Sequence, residues 1–165
     1  SMKVVDGKGV SRVLQKLCPL GIRLIVAELQ DSVDVFTWRN SEETRRHIFN
    51  RDLIPFEVHQ EWFEKCLNSE NRVILIGEID NKAIGVLRYD LTDAEALISV
   101  YLVPGKQPPG TGSQLIAAGS AWVRENYPHI KKVNAEILCK NTASVKAFEK
   151  AGYLLDHLTY TDILS

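Results

Sequence analysis

The sequence predicts an α/β fold of the α+β kind, with strands and amphipathic helices sharing one domain. Three observations predict it. Residues 97–119 pass from a β-branched and aromatic run, through a glycine-rich turn, into a helical pattern. Residues 72–79 and 83–91 read as two strands of a hairpin around Asp80-Asn81-Lys82. A chain of 165 residues with 45% hydrophobic and 25% charged side chains is long and apolar enough for one core.

In chain order, residues 1–20 read as an appendage to a domain over 21–165. Ser1-Met2 looks like an expression scar, and Asp6-Gly7-Lys8-Gly9 precedes a short helix pattern closed by Cys18-Pro19-Leu20-Gly21. The alternation Ile22, Leu24, Val26 predicts a first strand within 22–29. Asp31-Ser32 caps a helix carrying Val33, Val35, Phe36 and Trp38, which runs on through Glu42 to Phe49, and a second amphipathic helix follows Pro55 and reaches Leu67. The hairpin comes next, with Arg88 and Asp90 on one face of its second strand by the period of two. After the strand ending at Val103-Pro104, Thr111 or Ser113 is the expected cap of a helix through Leu115, Ile116, Ala118 and Trp122. A strand is predicted over 133–138, a short helix after Asn141, and a last strand within 154–165.

A helix that begins straight after glycines leaves its first N–H groups unpaired, so residues 110–113 form a place for an anion, above all a phosphate. The turn has neither the Gly-Lys-Ser/Thr of a P-loop nor the first glycine of a dinucleotide fingerprint. The net charge of −1 gives no global attraction to nucleic acid or to an acidic membrane, and no 18-residue apolar span occurs. Cys18, Cys66 and Cys139 have no metal-ligand spacing and read as reduced thiols of a cytoplasmic protein, so no metal is expected.

Two stretches carry a family likeness. Gln107-x-x-Gly110-x-Gly112, after a strand ending in Val103-Pro104, resembles the acetyl-coenzyme A signature of the GCN5-related N-acetyltransferases. Asn141-Thr142-Ala143-Ser144, followed by Lys150-Ala151-Gly152-Tyr153, resembles that family's later motif, in family order and separation. The resemblance implies a mixed, mostly antiparallel sheet with flanking helices and a splay between its two central strands. It implies acetyl-CoA as donor, its pantetheine arm on freed backbone groups of about Leu102 and Val103. Its pyrophosphate would lie on the amides of Gly110, Thr111, Gly112 and Ser113, with Gln107, Asn141 and Ser144 nearby. Pro108 and Pro109 depart from the pattern, because proline donates no N–H.

Trp38-Arg39-Asn40 with Arg45, the segment Ile54 to Phe63, and Gly85 to Asp90 resemble the branch that acetylates amino groups on nucleotide-linked sugars, as in pseudaminic-acid synthesis. Residues 6–17 are similar to the tail of nucleotide-sugar hydrolases of that pathway, which implies the second domain of a fusion. The acceptor expected is the 4-amino group of a nucleotide-linked dideoxyaminosugar, bound by Trp38, Arg39, Asn40, Arg45 and Arg88. A protein N-terminus or other small amine, and a non-catalytic CoA-binding domain, are the alternatives. The family's usual glutamate and tyrosine positions hold Leu97 and Phe148, neither of which moves a proton. Ser99, Tyr101 and Asn141 are left to relay it through water, with Glu57, His59 and Glu95 as further bases. An unpaired edge strand implies a homodimer or a docked fusion partner.

Overall fold

The computed structural model describes residues 21–164; the predicted appendage over 1–20 lies outside them. Five strands form one sheet in the order β1-β2-β3-β4-β5. They are β1 (Arg23–Val26), β2 (Arg72–Ile79), β3 (Lys82–Leu91), β4 (Glu95–Leu102) and β5 (Lys132–Ala135). The first three pairings are antiparallel and β4 with β5 is parallel. The helices are α1 (Ser32–Asn40), α2 (Glu42–Arg45), α3 (Phe56–Leu67), α4 (Thr111–Asn126) and α5 (Thr142–Lys150).

Alternation along the strands sends side chains to two cores. One face carries Leu75, Leu87, Tyr89 and Ile98 against Leu115, Ile116 and Trp122 of α4. The other carries Ile74, Ile76 and Val86 against Val35 of α1 and Phe63 of α3. The hairpin forms where composition placed it: Asp80 and Asn81 take φ of 51° and 65°, the two-residue turn whose twist matches its strands. Gly77 and Gly85 are register partners on β2 and β3, and a Cβ on either would lie 2.5 Å from a methyl of Leu115. That bare patch lets α4 sit close on the sheet, which fixes where its N-terminus points.

Some expectations are corrected. The first strand ends at Val26, because a 3₁₀ turn over Leu29–Asp31 redirects the chain. Asp31 does not cap α1; its carboxylate accepts from Glu28 N–H at 2.8 Å within that turn. The helix expected over 42–49 stops at Arg45. β5 stops at Ala135, three residues short of Leu138, and Leu138 O instead accepts from Asn141 N–H at 2.8 Å to turn the chain into α5. Residues 154–164 form no strand, and Leu154, Leu158 and Tyr160 are exposed.

Candidate active site

The central feature is the parting of β4 from β5. Their pairing runs from Glu95↔Lys132 to Ile98↔Ala135, while β4 continues to Leu102 in full register with β3. In an antiparallel pair, alternate residues turn their N–H and C=O toward the same neighbour. Val103 N–H donates to Ile84 O at 2.9 Å, so Ser99, Tyr101 and Val103 face β3, and the backbone groups of Val100 and Leu102 face the gap. Leu102 is where the sequence put a free strand group; Val103 is corrected, its amide being committed to β3 and its carbonyl accepting from Gln107 Nε2 at 3.0 Å.

The gap opens into a cleft of about 580 Å³ that reaches the start of α4. Every residue assigned to the cofactor from sequence lines it, and the roles divide. Gly110 takes φ 85° as the residue before α4, a left-handed conformation that glycine adopts without strain. Thr111 is buried, and both its N–H (3.2 Å) and its hydroxyl (2.5 Å) turn back to Pro108 O. It locks the turn and does not donate into the cleft, which corrects its expected role. The Ser113 hydroxyl donates to Gly110 O at 3.1 Å. The N–H groups of Gly112 and Ser113 find no acceptor among the described residues, so they remain free for an anion at the positive end of a 16-residue helix. On α5, Lys146 and Lys150 stand four residues apart and line the same cleft. Free amides, a helix N-terminus and two ammonium groups fit a diphosphate, and the freed groups of β4 fit an amide-bearing arm. Bound there, acetyl-CoA supplies an activated acyl group; the chain orients it and shields it from water.

Asn141 joins the halves of the site. Its Oδ1 accepts from Ser144 N–H at 3.1 Å, capping α5, and its Nδ2 donates to His47 O at 3.4 Å. It is therefore a cap and a bridge, with both ends of its amide committed, and not a free proton relay. Ser99 accepts from Arg88 at 3.1 Å and does not line the cleft. Tyr101 lines the cleft, but its hydroxyl donates to Val35 O at 3.2 Å, which commits its proton to that carbonyl, and burial pushes its pKa well up. Phe148 is buried against Tyr153.

The expected acceptor residues are only partly brought together. Arg39 donates to Asp52 O at 2.6 Å and Asn50 O at 2.8 Å, and Arg45 to Asn40 O at 3.0 Å and Arg51 O at 3.2 Å. Asn40 exchanges two bonds with Ile54, at 2.8 and 3.1 Å, as a strand neighbour would. These three side chains clasp the loop 50–54, which corrects their assignment to substrate. Trp38 packs half-buried on the second core. Arg88 is not part of that clasp: its guanidinium lies 5.5 Å over the Trp62 ring and donates to Asp90 at 3.1 Å, while its Nε is buried without a partner among the described residues.

Among the other proposed bases, His59 is a core residue, 3% exposed, bonded to Ser32 O at 3.2 Å and ringed by Phe36, Trp62 and Phe63. Burial holds its pKa low. Glu95 starts β4 at the end away from the gap and accepts from Asn134 at 2.7 Å, and Glu57 is exposed on α3. The sequence reading missed Glu43, His47, Lys146 and Lys150, all of which line the cleft. Each pair is four residues apart, and for the lysines the neighbouring Asn-x-x-Ser motif was a usable signal.

Among the described residues, no helix is long and apolar enough to cross a membrane and no cluster of ligating side chains could hold a metal. No curated protein sequence matches the chain. Solved structures do. Spermidine N-acetyltransferase from Vibrio cholerae, in complex with CoA and spermine, is similar with a TM-score of 0.74 and 16% identity, over 82% of each chain. The aminoglycoside acetyltransferase AAC(6')-Ib, in complex with ribostamycin and coenzyme A, follows at 0.71 and 18%, over 79% of this chain and 82% of that one. RimL, a ribosomal L7/L12 alpha-N-protein acetyltransferase in complex with coenzyme A, stands at 0.71 and 14%, over 82% and 81%. At such identities these structures speak for the fold. A family model described as "Acetyltransferase (GNAT) domain" matches residues 20–154. With the parted strands and the glycine-led helix in place, the chain belongs to the GNAT family as an acetyl-CoA-dependent N-acetyltransferase.

Proposed function

We propose that the acetyl group goes to the 4-amino group of a nucleotide-linked dideoxyaminosugar. The observation that carries this reading is Arg88. A guanidinium stacked on Trp62, tied to Asp90 and Ser99 at 3.1 Å each, stands on the sheet face that α1 and α3 cover. A fixed cation beside an indole suits a ligand that presents both phosphate and ring surfaces. The likeness of residues 38–45, 54–63 and 85–90 to the sugar-acetylating branch supports the same acceptor.

A polyamine or a protein N-terminus is a second reading, favoured by two observations. The clasped Arg39 and Arg45 are withdrawn from any diphosphate, and Glu43 puts a carboxylate in the cleft. A thiol-release assay with acetyl-CoA decides among a UDP-linked 4-aminosugar, spermidine, kanamycin and an N-terminal peptide. The first reading expects the UDP-sugar to have the highest kcat/KM and Arg88→Ala to weaken it selectively. A preference for spermidine or peptide untouched by Arg88→Ala refutes it. A cytoplasmic location belongs to this reading, supported by the free thiols of Cys66 and Cys139, and the edge of β5 is offered to a second copy or a fused domain; sedimentation as a pure monomer would remove that partner.

A further inference from the structure

The carboxylate of Asp90 is shared by two arginines. Arg72 and Asp90 stand directly opposite each other on β2 and β3, with Arg72 Nε 3.1 Å from Asp90 Oδ1. Arg88 lies two residues before Asp90, hence on the same face of β3, and donates from Nη2 to Asp90 Oδ2 at 3.1 Å. Neither guanidinium meets a second carboxylate among the described residues. Arg72 has besides only the Cys66 sulfur, at 3.7 Å, and Arg88 the Ser99 hydroxyl, at 3.1 Å, and the face of Trp62. Two positive charges against one negative leave one positive charge uncompensated on this face of the sheet.

Arg88 is the arginine placed to use it. Its side chain keeps 30% of its surface, Nη2 makes both of its bonds, and Nη1 has no partner among the described residues and, unlike Nε, stays open to solvent. Trp62, half-buried against the second core, covers one face of the guanidinium. The strand register fixes where this happens. Arg88 stands opposite Ser99, and Ser99 is the first residue of β4 beyond the last pair with β5, Ile98↔Ala135. Tyr101, the next side chain on that face of β4, lines the cleft. The guanidinium is therefore anchored beside the point where the strands part. An acceptor whose amine reaches the gap from this face brings its neighbouring groups past Arg88.

The geometry points to an anion subsite for the acceptor at Arg88, taking one phosphate or carboxylate group, with Asp90 and Arg72 as positioning residues. This rests on the reading that the acceptor enters beside Arg88, and not on its being a nucleotide sugar. Asp90 fixes Nη2, which leaves Nη1 to donate to the anion. Arg72 takes up the charge of Asp90, so the charge of Arg88 is left for the ligand.

The test uses the full chain saturated with CoA, which fills the amides at the start of α4 and leaves Arg88 as the anion site to be read. The indole N–H resonance of Trp62, assigned by its loss in Trp62→Phe, is followed while inorganic phosphate or acetate is added. At least one of the two should shift it saturably, the tighter one naming the anionic group of the acceptor. Arg88→Ala should weaken that anion roughly tenfold, and Arg72→Gln, which touches no ligand, about threefold, with CoA affinity by calorimetry within about twofold of wild type in both. A Trp62 resonance indifferent to both anions overturns the proposal, as does an Arg88→Ala protein that binds CoA normally and the anion as tightly as wild type. Should Arg88→Ala fail to bind CoA, Arg88→Lys decides. It keeps the charge without the planar fork and must weaken the anion at least about threefold; wild-type affinity overturns the subsite. Kinetics separate this proposal from the acceptor reading. If spermidine is preferred while Trp62 still answers to phosphate, the nucleotide-sugar reading fails and the subsite stands. If Arg88→Ala acetylates the UDP-linked 4-aminosugar at the wild-type KM, the subsite fails and that acceptor stands. Arg72→Gln should raise the KM of an anionic acceptor and leave kcat within about twofold; a lower kcat at unchanged KM overturns its positioning role.

Discussion

Arg39 offers a decisive perturbation, because the sequence reading gave it to the substrate and the structure gives it to the loop 50–54. Its two terminal nitrogens donate to Asp52 O at 2.6 Å and Asn50 O at 2.8 Å. Hydrogen bonds from a charged group contribute about 1.5–3 kcal/mol each when shielded, and the solvent-exposed setting of these carbonyls brings each down to about 1 kcal/mol. Arg39→Ala should therefore cost about 2 kcal/mol, because water can satisfy both freed carbonyls without a desolvation penalty. At about 2–4 °C per kcal/mol for a chain of this size, Tm should fall by about 4–8 °C. Arg39→Lys keeps the charge but reaches one carbonyl at a time, and should lose about half as much. Circular dichroism melts of the three proteins measure the loss, and limited trypsinolysis after Arg51 reads the loosened loop. If Arg39→Ala melts within 1 °C of wild type, leaves Arg51 as protected as before and raises only the acceptor KM, the clasp is refuted and the residue belongs to substrate.

Gly110→Ala forces a side chain into φ 85°, and should cost about 1–2 kcal/mol while weakening acetyl-CoA at least tenfold through the displaced amides; calorimetry with an unchanged Kd would contradict the anion cradle. Tyr101→Phe loses one hydrogen bond to Val35 O, so about 0.5–1.5 kcal/mol of stability goes while kcat stays within a few-fold; a hundredfold fall in kcat would return Tyr101 to the proton pathway. The Tyr89 hydroxyl is buried without a partner among the described residues, and a Cβ on Gly119 would stand 2.2 Å from it. Tyr89→Phe should stabilise by about 1 kcal/mol and Gly119→Ala destabilise by about 1–3 kcal/mol, with the double variant recovering part of that loss; strict additivity in urea melts would show that the two do not touch.

The sequence by itself determined what depends on neighbours in the chain. The turn at Asp80-Asn81, the glycine-led start of α4 and the short helix after Asn141 follow from backbone angles and bonds reaching three or four residues, and all three stand where their residue types put them. Tertiary structure decided everything that depends on which distant group a side chain meets. Arg39 and Arg45 look like phosphate ligands until loop 50–54 folds under them, and Tyr101 looks like a cleft hydroxyl until Val35 O arrives from 66 residues away. The carbonyl of His47 meets its partner only when Asn141, 94 residues on, reaches it. A donor or acceptor takes whatever partner packing delivers, and that choice is set by the layering of helices on the sheet and not by local spacing. The parting of β4 and β5 is of the same kind: both segments have strand character, and only the turn at Leu138, which starts α5, pulls one off the other.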